Sequence, residues 1–299
     1  MASLPRKKSN RANVLSALKK ARGKDVNWKD GKVFSLVFYP GEEIYSLLQE
    51  AYQMFFSENG LNPSAFPSLR QFENDVVSMV GSLLHAPRTA AGSMTSGGTE
   101  SILLAVYTAR EWAREHRPGV RQPEMIIPES AHPAFDKAAH YFGLKVHHIP
   151  VAADFRADVK AMEKAINNNT VLLVGSAPQY PQGVVDPLRE LGQIALKHKI
   201  LLHTDACVGG MMLPFVKKLG YQVPDFDFQV PGVTSISVDI HKYGYAAKGA
   251  SVVLYRNRSL RRKQFFVYSG WTGGIYGSPG VLGTRAGGSI AAAWAVMQY

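Results

Sequence analysis

Apolar residues recur every three or four positions in two stretches of the first 90 residues. The first set is Ile44, Leu47, Leu48, Ala51 and Phe55, and the second set is Leu69, Phe72, Val76, Met79 and Leu83. This spacing puts each set on one face of a helix, so the pattern predicts two amphipathic helices. The segment between them, NGLNPSAFPS at 59–68, contains a glycine and two prolines and is predicted to be a loop.

After residue 94 the pattern changes to short apolar runs that alternate with helical stretches. The apolar runs lie at 125–127, 144–149, 171–174, 200–203, 233–238 and 251–255, and the helical stretches lie near 99–116, 133–142, 158–167 and 187–198. Such alternation is typical of an α/β fold with a mostly parallel sheet flanked by helices. We expect three parts, namely a basic and flexible arm at 1–25, a helical segment at 26–93 and a larger α/β domain at 94–299.

The net charge of +11 arises mainly in the N-terminal tail. Residues 1–24 contain no acidic side chain and the basic residues Arg6, Lys7, Lys8, Arg11, Lys19, Lys20, Arg22 and Lys24. A short apolar stripe, Val14, Leu15, Leu18 and Ala21, accompanies them. The tail could contact an anionic membrane surface or nucleic acid, could serve as an organelle transit peptide, or could be a solvated arm. Of the two macromolecular partners, we expect the membrane surface and not nucleic acid.

The overall composition, 46% apolar and 19% charged residues, is that of a soluble globular protein of one or two domains. No uncharged apolar run reaches the roughly 18 residues of a membrane-spanning helix. The first residues, MASLPRKKSNRANVLSALKK, lack the apolar core of a secretory signal. Cys207 is the single cysteine, so an intramolecular disulfide is impossible, and a cytoplasmic location is the simplest expectation.

The first candidate for chemistry is Lys242, in the stretch SVDIHKYGYAAKGA at 237–250. A lysine in a dense site is expected to have a lowered pKa. Its neutral amine can then form a Schiff base with a carbonyl group. The alternative is a solvated lysine at the end of a strand.

A second candidate is the glycine turn in MTSGGTES at 94–101, directly before a predicted helix. Backbone N–H groups and the positive end of the helix dipole make such a turn an anion site, most naturally for a phosphate. It is not a Walker motif, because no lysine follows the glycines. Helix capping by the serine and threonine side chains explains the same residues equally well.

Two further residues follow predicted strands. His132, in SAHPAF, could stack on an aromatic ring or simply begin a helix. Asp205, in ILLHTDACVGG, lies at the carboxyl end of a strand, where ligands bind in open α/β sheets. Its carboxylate could keep a pyridinium nitrogen protonated or could cap the next turn.

Together these four signals fit one cofactor, pyridoxal 5′-phosphate (PLP). Its phosphate, ring face, ring nitrogen and aldehyde need, respectively, an anion site, a stacking ring, a carboxylate and a lysine. We expect no metal.

Several segments resemble the sphingosine-1-phosphate lyase family, which consists of fold-type I PLP enzymes related to the group II amino-acid decarboxylases. These segments are GGTES at 97–101, AHPAF at 131–135, HTDACVGG at 203–210, SVDIHKYGYAAKG at 237–249 and GGIYGSPGVLGTRAGG at 273–288. The resemblance implies that residues 94–299 are the PLP-binding large domain of a homodimer with shared active sites.

By position, the resemblance also implies the site residues. The cofactor contacts would be Gly97, Gly98, Thr99, His132, Asp205, Ser237, His241 and Lys242, with His132 on the ring, Asp205 at its nitrogen and Lys242 bound to its aldehyde. The substrate side would be lined by Tyr39, Asn59, Asn62, Tyr180 and Lys248. Of these, Tyr39, Tyr180 and Lys248 would join Lys242 as catalytic residues. Tyr180 would reach in from the other subunit, and 273–288 would approach the partner's cofactor.

The implied reaction is retro-aldol cleavage of the C2–C3 bond of a sphingoid base phosphate, which yields a long-chain aldehyde and phosphoethanolamine. A related decarboxylase and an inactive interaction protein are the alternatives. The sequence departs from the family in two places. Asn62 stands where many members have a histidine, and the chain stops at AAAWAVMQY where the family continues into a small C-terminal domain. Eukaryotic members begin with a membrane anchor, and the start of this sequence is more similar to the soluble bacterial type, which is what we expect here.

Overall fold

A computed structural model describes residues 3–5 and 7–299, so Arg6 of the basic tail lies outside the described residues. The chain divides into two compact units, one that ends at Tyr39 and one that spans Pro40–Tyr299. The predicted division at 25 and 93 stays a prediction. Throughout the described residues, no helix combines the length and the apolar character needed to span a membrane.

The N-terminal unit contains one α-helix, α1 (Arg11–Arg22), within its described residues. The side chain of Asn10 caps the helix by accepting a hydrogen bond from the Asn13 N–H at 3.0 Å. The basic residues Lys19, Lys20 and Arg22 occupy the last turn, where positive charge stabilises the helix dipole. All of α1 is exposed to solvent, so the predicted basic arm carries a helix that presents its short apolar stripe to solvent.

The second unit alternates helices and strands from Pro40 onwards. In chain order its elements are α2 (Glu42–Met54), α3 (Pro67–Leu83), β1 (Ala91–Thr95), α4 (Gly98–His116), β2 (Glu124–Pro128), α5 (Ala134–Phe142), β3 (Lys145–Ile149), α6 (Val159–Ala165), β4 (Thr170–Ser176), α7 (Leu188–His198), β5 (Leu201–Asp205), α8 (Leu213–Lys218), β6 (Ser235–Asp239), β7 (Ser251–Tyr255), α9 (Arg258–Arg262), β8 (Phe266–Trp271), β9 (Gly274–Ser278) and α10 (Gly287–Gln298). The six strands and six helices predicted from periodicity are confirmed, with ends shifted by a few residues.

Among the described residues, seven strands form one sheet in the order β1-β7-β6-β5-β4-β2-β3. Strands β3, β2, β4, β5 and β6 run parallel, whereas β7 is antiparallel to both β6 and β1. The predicted α/β class with a mostly parallel sheet is confirmed. Because β1 and β6 both oppose β7, they point the same way. The carboxyl ends of β1, β2, β4, β5 and β6 therefore lie at one edge of the sheet.

The core lies on both faces of this sheet. Successive residues of β4 point to opposite faces, so Leu172 and Val174 pack with the buried side of α4 and α5. Leu173, between them, packs with α3, α7 and α10. All three side chains are essentially inaccessible to solvent. Burial on both faces explains why the middle of β4, VLLV at 171–174, is continuously apolar.

Sequence analysis missed three strands. β1 reads AGSMT, whose small and polar residues form no apolar run. Gly92 in it is tightly packed, since a Cβ there would lie 2.7 Å from Leu254 Cδ2 and 2.8 Å from the Val253 carbonyl oxygen. The hairpin of β8 and β9 is exposed along almost its whole length, so neither strand shows the alternation that burial of one face produces.

Asp186, between β4 and α7, is a fully buried carboxylate. Its Oδ2 accepts a hydrogen bond from the Ser176 N–H at 2.7 Å and its Oδ1 accepts one from the Ala157 N–H at 2.8 Å. Burial is the main cause that raises the pKa of Asp186 to about 6, and the nearby Asp205 carboxylate adds to it. The backbone donors oppose this shift but do not cancel it.

This buried carboxyl predicts a pH-dependent contribution to stability. The native pKa of Asp186 lies above the unfolded value, so between about pH 4 and pH 6 the native state binds the proton more tightly. The free energy of unfolding should therefore decrease as the pH rises through this window. Asp186→Asn has no titrating carboxyl at this position. Between pH 4 and pH 7 we therefore expect the free energy of unfolding of the wild type to fall by about 2 kcal/mol relative to that of the variant. Urea unfolding of both proteins at the two pH values measures it, and a difference independent of pH would contradict it.

Candidate active site

Lys242 lies in the turn that follows β6, and its partner is Asp239, the last residue of that strand. Lys242 Nζ is 2.9 Å from Asp239 Oδ2, and the side chains are 25% and 3% exposed, respectively. The strand delivers Asp239 to the edge of the sheet, and the turn brings the lysine back over it three residues later. Sequence analysis noted Asp239 but gave it no role. The three-residue separation was the available signal.

The predicted lowered pKa of Lys242 is wrong. Burial is the largest single influence and acts to lower it, but the Asp239 carboxylate, which also accepts a hydrogen bond from the amine, acts together with nearby negative charge to raise the pKa above its ordinary value. Asp205 acts in the same direction. Lys242 is therefore an ammonium ion in this structure, and it must pass a proton to another group before it can attack a carbonyl.

The lysine whose pKa is lowered is Lys248. Its Nζ donates a hydrogen bond to the His241 carbonyl oxygen at 3.0 Å. Partial burial is the main cause of the lowered pKa, and the positive charge of Lys242 contributes, while Asp239 opposes both. The two lysines thus share Asp239 as a common electrostatic partner.

Asp205 ends β5 next to this cluster and is 7% exposed. Its Oδ1 accepts hydrogen bonds from the Cys207 N–H at 3.0 Å and from the Ser237 hydroxyl at 3.3 Å. Ser237 lies directly opposite Asp205 in the pairing of β5 with β6. The bond from Cys207 is the turn-capping contact that was considered as the alternative for Asp205. It uses one carboxylate oxygen.

The glycine turn adjoins the same cluster, because α4 begins at Gly98 beside the end of β6. A Cβ on Gly98 would lie 2.8 Å from both Asp239 Oδ2 and Cys207 Sγ, so only glycine fits there without displacing its neighbours. The alternative reading, capping by serine or threonine, is wrong: the N-cap is Gly97, and α4 has no side-chain cap. Thr99, in the first turn, is exposed.

Glu100 is a buried residue of this turn that sequence analysis missed. Its Oε2 accepts hydrogen bonds from the Ser96 N–H and hydroxyl, both at 2.7 Å. Its Oε1 accepts one from the Val281 N–H at 2.9 Å. Glu100 therefore ties the glycine turn to the loop that follows β9. The four-residue spacing from Ser96 was visible in the sequence, but the contact with Val281 was not.

His132 follows β2 at the same edge of the sheet and is exposed. Its Nδ1 accepts a hydrogen bond from the Ala134 N–H at 3.1 Å, at the start of α5. This contact is the helix-start role that was considered for it. The exposed imidazole keeps its faces accessible, so its predicted stacking on a cofactor ring stays a prediction.

The residues predicted for the substrate side are placed in several elements. Asn59 Oδ1 accepts from the Leu61 N–H at 3.1 Å, and Asn62 Oδ1 accepts from the Ser64 N–H at 2.9 Å, so both amide oxygens serve local turns. Tyr180 is 64% exposed in the loop after β4. Tyr39 belongs to the N-terminal unit, where its ring contacts the edge of Trp28. Lys248 is joined to the Lys242 turn by the hydrogen bond from its Nζ to the His241 carbonyl oxygen.

Two buried polar atoms beside Lys242 make no hydrogen bond to any described residue. They are Asp239 Oδ1 and His241 Nδ1. Burial lowers the pKa of His241, so its ring is predominantly neutral at pH 7. A buried polar atom without a partner costs about 1–3 kcal/mol, and such atoms call for an explanation. Their position beside the glycine turn and Lys242 is typical of a ligand site.

Comparison with known proteins assigns the chain to a family. Residues 4–271 match the model of the pyridoxal-dependent decarboxylase conserved domain. The chain belongs to the pyridoxal-dependent decarboxylase family. The resemblance seen in the sequence motifs is thereby confirmed, and the family implies PLP as the cofactor.

Relatives within the family include proteins named sphingosine-1-phosphate lyase. The chain is 50% identical over 292 residues to such a protein from Oryza sativa, covering 95% of this chain and 54% of that one. It superimposes on the solved structure of the Burkholderia pseudomallei K96243 sphingosine-1-phosphate lyase with a TM-score of 0.95 and 43% identity, covering 100% of this chain and 70% of that one. A probable L-aspartate decarboxylase of Pyrococcus furiosus is 36% identical over 296 residues, which are 99% of this chain and 77% of that one. The chain thus spans about half the length of the Oryza relative.

The residues at the sheet edge fit PLP. The buried atoms without partners, Asp239 Oδ1 and His241 Nδ1, lie beside the candidate lysine. Gly98 brings the start of α4 so close to Asp239 that a Cβ would clash with the carboxylate. A carboxylate, Asp205, ends the neighbouring strand. The phosphate of PLP can be matched to the glycine turn, its aldehyde to Lys242 and its ring nitrogen to Asp205.

Proposed function

We propose that the protein is a PLP-dependent lyase that cleaves the C2–C3 bond of sphingoid base phosphates, with a long-chain aldehyde and phosphoethanolamine as products. The observation that carries the proposal is the contact of Lys242 with Asp239 between the glycine turn and Asp205. The similarity to the named lyases supports the choice of substrate.

In this proposal PLP is held by residues from four elements. The backbone N–H groups of Gly97, Gly98 and Thr99 bind its phosphate at the start of α4, with Ser237 and His241 nearby. His132 stacks on its ring, Asp205 pairs with the ring nitrogen and Lys242 binds its aldehyde. When bound, PLP supplies an electron sink for the negative charge left at C2 when the bond to C3 breaks.

Proton movement begins at Lys242. Because its amine is an ammonium ion, it must lose a proton before it becomes a nucleophile. Asp239 Oδ2, 2.9 Å away, is positioned to accept that proton. Removal of the proton from the C3 hydroxyl needs a second acceptor. Lys248 is the candidate for this role because burial and the charge of Lys242 lower its pKa, and its positive charge suits the substrate phosphate equally.

The remaining predicted residues belong to the substrate and partner side of the proposal. Tyr39, Asn59, Asn62 and Tyr180 line the substrate site, with Tyr180 supplied by the second subunit of a homodimer. The exposed apolar residues of the β8–β9 hairpin, including Val267, Trp271 and Ile275, support burial against a partner. The cytoplasmic location rests on the single cysteine, and contact of α1 with an anionic membrane rests on its basic residues.

The direct test supplies PLP to the full chain and offers two classes of substrate. We expect a sphingoid base phosphate to yield a fatty aldehyde and phosphoethanolamine in equal amounts, and we expect acidic or aromatic amino acids to release no carbon dioxide. Mass spectrometry of both products measures the reaction. The same sphingoid base without its phosphate is the matched control and should react poorly. A chain that binds PLP and forms neither product from the phosphate would contradict the proposal.

An amino-acid decarboxylase is the second candidate. It is favoured by the Pyrococcus relative, of which the chain covers 77%. This reading predicts carbon dioxide from aspartate or another amino acid in the same assay. An inactive interaction protein would not need Lys242 and Asp205 in the arrangement that the chain retains.

A further inference from the structure

Beneath Asp205 lies a buried histidine to which the proposed function gives no role. His203 is on β5, two residues before Asp205, so both side chains point to the same face of the sheet. The side chain is inaccessible to solvent, and its ring contacts the edge of the Phe135 ring at 5.8 Å between centroids. A buried imidazole directly under a cofactor-facing carboxylate needs a chemical explanation.

Both ring nitrogens of His203 face serines of β6. Nδ1 is 2.9 Å from the Ser235 hydroxyl, and Nε2 is 3.1 Å from the Ser237 hydroxyl. The pairing of the two strands sets these contacts, because His203 lies opposite Ser235 and Asp205 lies opposite Ser237. One serine therefore stands between the histidine and the carboxylate.

The Ser237 hydroxyl has three neighbours, which together determine where the protons lie. It is 3.3 Å from Asp205 Oδ1 and 3.3 Å from Cys207 Sγ, in addition to His203 Nε2. A hydroxyl has one proton to donate and two lone pairs to accept with. Because the carboxylate can only accept, the Ser237 proton goes to Asp205. Cys207 and His203 must then both donate to the Ser237 oxygen.

The environment keeps these donors in the required form. Burial raises the pKa of the Cys207 thiol, so the sulfur retains its proton. Burial lowers the pKa of His203 to about 4, although the Asp205 carboxylate opposes the shift, so the ring is neutral at pH 7. A neutral ring that donates from Nε2 has a bare Nδ1, which accepts the hydroxyl proton of Ser235. In this series of hydrogen bonds, Ser235 donates to His203, His203 donates to Ser237 and Ser237 donates to the Asp205 carboxylate.

We propose that His203 is a positioning residue, a neutral Nε2–H tautomer that fixes Asp205 through the Ser237 hydroxyl. The inference rests on the proposed function of Asp205 as the partner of the cofactor ring nitrogen. A charged histidine at this place would offset the negative charge that Asp205 must present. A neutral relay orients the carboxylate and leaves its charge intact.

The tautomer is tested without any reaction. The full chain is labelled with ¹⁵N-histidine and its ring nitrogens are observed by NMR at pH 7, before and after saturation with PLP. We expect the His203 signals to show protonated Nε2 and bare Nδ1 in both samples. The absence of these signals in His203→Gln assigns them, and a shift of the Nε2 signal alone in Ser237→Ala confirms the assignment. A protonated Nδ1 or a doubly protonated ring would overturn the proposal.

The effect on Asp205 is tested with two substitutions at position 203. Glutamine can place an N–H donor near the position of Nε2, whereas leucine fills space and donates nothing. We expect His203→Leu to weaken PLP binding and to lower kcat by about 10–100-fold with little change in KM, as is typical when the outer partner of a functional ligand is lost. His203→Gln should recover most of both quantities. Ser235→Ala, which removes the donor to Nδ1 but leaves the Nε2–Ser237 contact in place, should lose less of both quantities than His203→Leu.

Thermal unfolding of the three variants identifies folding defects. Equal losses in His203→Gln and His203→Leu, or losses that follow only the unfolding temperature, would contradict a positioning role. If the wild-type chain cleaves no sphingoid base phosphate, the proposed function fails, but the tautomer and the PLP affinities still decide the role of His203. The two proposals therefore fail through different measurements.

Discussion

Replacing Lys242 with alanine should eliminate covalent attachment of PLP and reduce turnover below detection. Lys242 holds its amine 2.9 Å from Asp239 Oδ2, whereas the Lys248 amine donates a hydrogen bond to the His241 carbonyl oxygen. Borohydride reduction followed by peptide mass spectrometry should find the cofactor on Lys242 in the wild type and on no residue in Lys242→Ala. A lysine-linked PLP absorbance that persists in the variant would refute this assignment.

The same substitution should also destabilise the protein before any cofactor is added. It leaves the buried Asp239 carboxylate without its ammonium partner, which we expect to cost about 1–3 kcal/mol. The double variant Lys242→Ala/Asp239→Asn removes the unpaired charge and should recover most of this stability while remaining inactive. Urea unfolding of the three proteins separates the two effects. Equal stability of the single and double variants would show that Asp239 is not stabilised by the lysine.

Asp205→Asn should lower kcat by about 100–1,000-fold and leave the fold intact. The asparagine oxygen can still accept from the Cys207 N–H and the Ser237 hydroxyl, so the local hydrogen bonds survive. The variant loses only the negative charge that would keep the cofactor nitrogen protonated.

Steady-state kinetics with saturating PLP measure this loss. Asp225→Asn is the matched control, since Asp225 pairs with Lys217 and Arg189 away from the sheet edge, and its kcat should be unchanged. Activity close to wild type in Asp205→Asn would remove Asp205 from the mechanism.

Much of the fold was predictable because its strands are buried on both faces. β4 contains the uninterrupted apolar run VLLV at 171–174 and β5 begins with two leucines after Ile200, and runs of that kind are visible in one sequence. β1 was not predicted, because close packing around Gly92 selects small residues and not apolar ones. The β8–β9 hairpin was not predicted because both of its strands are exposed, and exposure removes the alternation of apolar and polar residues.

The site was predictable at the level of residue types but not of their charge states. The motifs suggested Lys242, Asp205, His132 and the glycine turn as a set that binds PLP, and the family implies PLP as the cofactor. The pKa of Lys242 was predicted with the wrong sign. The direction of this pKa shift depends on the 2.9 Å contact of Lys242 with the Asp239 carboxylate, which is 3% exposed. The spacing of the two residues in the sequence predicts neither the distance nor the burial. The partners of His203 likewise depend on the register of β5 with β6.

The place of β7 in the sheet has a consequence for the order of folding. β7 separates β1 from β6, so the glycine turn and Asp239 can meet only after residues 251–255 have inserted between two strands made earlier. During synthesis on the ribosome, more than half of the chain is made between β1 and its partner β7, so β1 has no partner strand during that time. We therefore expect nascent chains that end before residue 251 to be unable to retain PLP and to depend on chaperones that shield the open edge of β6.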